Sequence, residues 1–340
     1  MSYCGGVRTQ NSGFALAAVL WLLAGLTILA AMISQSNQIL AQRQAQLKLR
    51  ADAEQDFLSG RSEALYWLST SRSTQDGFGW SSQLLRVDGR GYAASGKSSI
   101  YVQDVRGLLS LNRPKRDMLA RFLVYCGAAP SQTDALLDAL EDYAEKGELK
   151  RLNGAKSLEY STAGLKPPRF APLLAEPEIW QVFGWRQIES SWNEKQCSES
   201  VTVAGDNRFN PGTATQAVLL AYGMNAEQVE LIAKERQTGE TVLIDSLQNQ
   251  IQGQGFMGLT AGRFPANRFR VTHAMPDMPW VFRYELALKT DIEGVPWEIS
   301  SPRRLPLASV MMPAGRANWP KIDQISETDK NAITQPILPF

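Results

Sequence analysis

With 340 residues, 44% of them hydrophobic and 20% charged, the chain has the makeup of a globular protein holding about two domains besides any anchor. Lys and Arg number 35 against 34 Asp and Glu, so no bulk charge draws it toward nucleic acid or anionic lipid, and partners must be recognised by local surfaces. His273 is the only histidine, which removes Ser-His-Asp and Cys-His catalysis as economical explanations and excludes a His-rich zinc site.

The chain opens with a short polar segment, MSYCGGVRTQNSG, ending at Gly13. From Phe14 to Ile33 it reads FALAAVLWLLAGLTILAAMI, about 20 residues without a charge, enough at about 1.5 Å per residue to cross a bilayer core. A secretory signal peptide is the competing reading, because Ala30 and Ala31 offer small residues near its end. The residues after Ile33 argue against it: the sequence stays free of Gly and Pro up to Gly60 and remains helix-compatible to Leu68, so 14–68 is predicted as one long helix. Its outer half carries Ile39, Leu40, Leu47, Ala51, Phe57, Leu58, Leu65 and Leu68 at roughly helical spacing, an apolar face expected to cover a globular domain.

Residues 69–113 read as strands separated by Gly-rich turns. From 114 to 245 the pattern turns helical. Ser131 is placed to cap a helix that continues through Leu136, Leu137, Leu140 and Tyr143, and the charged, Pro-rich residues from 144 to 178 read as a loop. Cys4 lies ahead of the apolar stretch, which leaves Cys126 and Cys197 as the one pair available to the soluble part; a disulfide suited to an oxidising periplasm and two buried free thiols both remain open. Within FNPGTATQAVLLAYGMNAEQVELIAKERQ, Thr213 with Gln216 and Asn225 with Gln228 read as capping boxes, and Gly223 separates two short helices. This is a helix-hairpin-helix, SAM-like unit. Such a unit binds DNA when two glycines and a nearby basic residue serve a phosphate, but AYGMNA has one Gly and no adjacent cation, so it reads as a packing unit. GQGFMG at 253–258 satisfies G-x-G-x-x-G but lacks a preceding apolar strand and a following helix, so the match is incidental. Residues 246–311 return to alternating strands, with His273 among them as a structural residue, and 312–340 is a tail with four prolines, expected to be extended or mobile.

The Gly13–Phe14 junction followed by an apolar helix that becomes amphipathic resembles the class III leader of type IV pilins and type II secretion pseudopilins. Ala18 stands where most members carry Glu, a departure shared by the minor pseudopilins of the general secretion pathway protein K family. In IYVQDVRGLLSLNRP, Asp104, Gly107, Leu111 and Asn112 are similar to that family's strand-turn-strand segment, and Asn210, Thr213, Ala214, Gly223 and Arg236 to its second helical unit. The resemblance implies an α+β, pilin-like fold: a long helix and an antiparallel sheet interrupted by a mostly α-helical insert. It implies cleavage after Gly13 by a prepilin peptidase, methylation of Phe14, and insertion in the inner membrane with a periplasmic domain. The implied role is a structural one at the pseudopilus tip, with no enzymatic activity. Implied partners are I-type and J-type minor pseudopilins and the inner-membrane secretion platform, together with secreted cargo or the outer-membrane secretin; no nucleic acid is expected. A buried carboxylate needs a partner, and a tip subunit has none above it, so Ala18 suits the tip. The family's insert also implies calcium, for which Asp138, Glu141, Asp142 and Glu159 are the nearest candidates. From the residues alone, each of the four sits on an ordinary solvated helix face, without EF-hand spacing. A type IV pilus minor pilin and a membrane-anchored DNA-binding protein are the alternatives.

Overall fold

The computed structural model describes residues 12–80, 83–94, 97–205, 208–253, 260–262, 264–276, 278–289, 295–313 and 315–321. The chain forms two compact units, residues 1–55 and residues 56–340. Helix α1 (Ser12–Thr70) is unbroken, as the absence of Pro and the single glycines predict. Three short strands follow, β1 (Ser73–Thr74), β2 (Gly77–Trp80) and β3 (Gln83–Arg86), which form an antiparallel meander. Next come β4 (Asp88–Ala93), β5 (Ser99–Asp104) and β6 (Leu109–Ser110), then α2 (Arg116–Tyr125), α3 (Thr133–Ala144), α4 (Ser157–Thr162) and α5 (Glu189–Glu194). After β7 (Val201–Thr202) and β8 (Arg208–Phe209) lie α6 (Gln216–Tyr222), α7 (Ala226–Thr238) and α8 (Val242–Gly253), and then β9 (Thr260–Ala261), β10 (Arg268–Ala274), β11 (Trp280–Leu288), β12 (Trp297–Pro306) and β13 (Ala317–Asn318).

The main sheet runs β12-β11-β10-β5-β4-β13 and is antiparallel except where β13 joins β4. Its centre pairs strands separated by the whole insert, with Val271 opposite Val102 on one side and Tyr284 on the other. Because strand side chains alternate, the sheet has two distinct faces. Ile100, Val102, Phe269, Val271, Tyr284 and Leu286 point to one side, where they bury against Leu65, Trp67 and Leu68 of α1. A second apolar core lies mostly in the insert, around Phe122, Leu123, Leu137, Trp185, Trp192, Val218 and Ile232, and takes in Leu109, Leu111 and Leu247 from its borders.

Several expectations need correction. Of the apolar face expected along α1, Leu65 and Leu68 lie in the core of the second unit with Phe57 packed against it, whereas Leu58 is exposed. Ser131 caps nothing; Pro130 opens a 3-10 turn, so α3 starts two residues later at Thr133, whose hydroxyl bonds back to the Pro130 carbonyl. Helical structure persists through α8, past the boundary expected at 245, with Ile244, Leu247 and Gln248 buried on one side. The tail is not wholly mobile: β13 pairs with β4, and Trp319 sets its ring edge on Tyr92. The rest of G-x-G-x-x-G and residues 322–340 lie outside the described residues; the segment leading into Gly253 is a helix, which leaves the motif without its strand.

Candidate functional site

At the amino end, the described backbone places Gly13 and Phe14 in the first turn of α1, while residues 1–11 of the leader lie outside the described residues. The whole apolar stretch is exposed, Trp21 to 81%, and α1 is long and apolar enough to cross a membrane. Surrounding water would oppose that exposure by roughly 25 cal/mol for each Å² of apolar surface, whereas lipid would not. Ala18 is exposed on the same stretch and contributes no charge.

The second site is the junction between the sheet and the insert, where the two motif segments meet. Asp104 ends β5 with its carboxylate fully buried. It accepts from the Arg106 N–H at 3.1 Å, the Ala266 N–H at 3.0 Å, the Thr213 hydroxyl at 2.9 Å and the Asn210 amide at 3.3 Å. Burial pushes its pKa up, against the opposing pull of these donors. Thr213 is therefore no helix cap: its hydroxyl is committed to Asp104, and α6 begins after Thr215 with no side-chain cap. Gly107 lies so close that a Cβ would come within 2.2 Å of the Thr213 carbonyl oxygen, and the Gly107 and Arg106 carbonyls accept from Thr215 and Asn210. Asn112 exchanges two hydrogen bonds with the Leu173 backbone and donates to the Val203 carbonyl.

Charged side chains on the sheet's other face complete the junction. Arg270 of β10 pairs with buried Glu176, which also takes Arg303 of β12 at 2.5 Å. Arg283 of β11 forms a bidentate pair with Glu199 at 2.7 and 2.8 Å and donates to Thr272. On α7, Arg236 is half-buried, donates to the Pro211 carbonyl at 2.5 Å, and has its pKa pushed down to about 10 by desolvation despite the charge of Asp88. Sequence reasoning found Arg236 but missed Glu176, Glu199, Arg270, Arg283 and Arg303. Arg270 and Arg283 fall on the strand face opposite the apolar residues, which reads as a solvated face until the insert is placed on it.

Cys126, at the end of α2, and Cys197 form a disulfide that closes a separation of 71 residues. The α6–α7 hairpin holds its amides to itself: Gly223, Met224 and Asn225 donate to Leu220, Leu219 and the Gln228 side chain, and Asn225 and Gln228 form the expected capping box.

Of the calcium candidates, Asp138, Glu141 and Asp142 converge on one side of α3, while Glu159 caps α4 and pairs with Lys150. The solvated-face reading fails for two of them, since the side chains of Asp138 and Asp142 are exposed only to 9% and 0%. The donor set does not fit calcium, because each carboxylate is bonded to an Arg or Lys, and no group of three or more His, Cys, Asp or Glu among the described residues has a metal-holding arrangement.

Fold and sites together define an α+β protein built on a helix long and apolar enough to cross a membrane, its sheet carrying a disulfide-linked helical insert. No protein-family model and no curated protein matches the chain. Among solved structures it is similar to a chain of the GspK-GspI-GspJ complex of the type 2 secretion system of enterotoxigenic Escherichia coli, at 13% identity and a TM-score of 0.47 over 78% of this chain and 98% of that one.

Proposed function

We propose that the chain is a minor pseudopilin of the general secretion pathway protein K type. It acts at the tip of a type II secretion pseudopilus, as a structural part of the fibre and not as a catalyst. The observation that carries this reading is α1: one helix from Ser12 to Thr70, charge-free and exposed between Phe14 and Ile33, uncharged at Ala18, and roofed by a sheet at its far end. A helix of this kind suits lateral packing in a bilayer or helix bundle, and the absence of a carboxylate at position 18 suits a subunit with no neighbour above it. The insert then forms a periplasmic head, with I-type and J-type minor pseudopilins as neighbours. DNA binding is disfavoured because the hairpin amides that would cradle a phosphate are committed internally.

Mass spectrometry of the amino terminus after co-expression with a prepilin peptidase tests the reading. The expected product begins at methylated Phe14 and disappears in a Gly13→Ala variant. An intact terminus, or a cut near Ala31, sinks it. Deletion in the source cell then separates the two fibre systems: lost secretion supports a pseudopilin, and lost motility with intact secretion supports a pilus subunit.

A further inference from the structure

Helix α3 carries Asp138, Glu141 and Asp142, and its C-cap is Glu145, at three- and four-residue intervals, so four carboxylates gather on one side and repel each other unless counter-charges are supplied. The segment after α3 folds back across this face and supplies them. Arg151 donates through Nε to Glu141 at 2.6 Å, and through Nη1 to Asp142 at 2.8 Å and Glu145 at 2.5 Å. Arg116, the first residue of α2, reaches Asp138 at 2.7 Å, Glu141 at 3.1 Å and Asp134 at 3.3 Å from the other side.

The backbone is drawn to the same carboxylates. The Arg151 N–H donates to Asp142 and the Asn153 N–H to Asp138, each at 3.1 Å. Lys156 places its buried ammonium on the Asp142 and Glu145 carbonyls, both at 2.8 Å. Gly154 approaches so near that a Cβ would come within 1.8 Å of Asp142 Oδ2. A divalent cation holding a loop onto an acidic helix would need these same oxygens free, six to eight of them at about 2.3–2.6 Å.

We infer that Arg116 and Arg151 are built-in counter-ions in the structural place of a divalent cation, so that the insert keeps its fold and stability without calcium. The inference rests on the geometry of the insert and does not depend on the secretion role. Planar guanidiniums suit the task because each spans two or three carboxylates with directed N–H bonds, which an ammonium cannot do.

The test is thermal unfolding of the full chain in detergent, in excess EDTA and in millimolar calcium chloride, with tryptophan-sensitised terbium luminescence as a direct probe of cation binding. The parent is expected to melt at one temperature in both conditions and to give no terbium signal. Arg151→Gln is expected to melt at least a few degrees lower in EDTA and to recover part of the loss in calcium, because the freed carboxylates then gain from binding the ion. Should that variant not fold, Arg151→Lys is expected to fold and melt below the parent without responding to calcium. A parent stabilised by calcium or lit by terbium overturns the inference, as does an Arg151→Gln variant that melts like the parent.

Discussion

His273 shows how one buried side chain sets a pH dependence. Its ring stacks on Tyr284 and meets the edge of Phe57, Nε2 lies 3.1 Å from the Tyr284 hydroxyl, and no described hydrogen-bond partner reaches Nδ1. Burial, with a smaller contribution from the charge of Arg61, pushes its pKa from 6.5 down to about 3, so the folded ring stays neutral where the unfolded one takes up a proton. Its contribution is therefore present above the unfolded value and lost as pH falls from about 6.5 toward 3. Guanidinium unfolding between about pH 7 and pH 4 should show a steeper stability loss in the parent than in His273→Gln, with the carboxylate contribution common to both. Equal slopes would show that this ring is not the source.

At the scale of the element, the disulfide decides how firmly the insert is closed. Cys126 caps α2 and Cys197 opens the 3-10 turn whose Glu199 binds Arg283, so the bond ties a helix to the strip of chain that grips the sheet. With a separation of 71 residues, loop-closure entropy gives a stabilisation of about 4 kcal/mol. The Cys126→Ser, Cys197→Ser double variant should melt on the order of 10 °C lower, and a reductant should lower the parent alike while leaving the double variant unchanged. An unmoved parent midpoint in reductant would contradict the stabilisation. Local elements were the readable part of this insert. The Asn225–Gln228 box formed because both partners lie within one helical turn. The analogous Thr213–Gln216 pattern misled because the Thr213 hydroxyl goes to Asp104, far upstream in the chain, and no local spacing records such a partner. Likewise, the helical period found Leu65 and Leu68 of α1 but not Trp67, which packs with them in the same core.

At the scale of the molecule, the sheet serves as a plate between two cores, apolar toward α1 and ionic toward the insert. Alternation in β10 and β11 foretold the two faces; what covers the second was not legible, since Glu176 and Glu199 come from short 3-10 turns with no periodic signature. Buried pairs of this kind contribute modestly to net stability, but removing one partner leaves a charge stranded and costs about 3–5 kcal/mol. Glu176 answers both Arg270 and Arg303, and burial already disfavours the Arg270 cation. Glu176→Ala should therefore destabilise by at least about 3 kcal/mol. Since residues 56–340 form one compact unit, the loss should reach both cores together. Hydrogen exchange followed by mass spectrometry checks this: peptides from β10 and from α2 should lose protection in parallel, to the extent set by the fall in global stability. Faster exchange confined to β10, with α2 still protected, would mean that insert and sheet unfold separately and that the ionic junction attaches the insert without coupling it to the sheet.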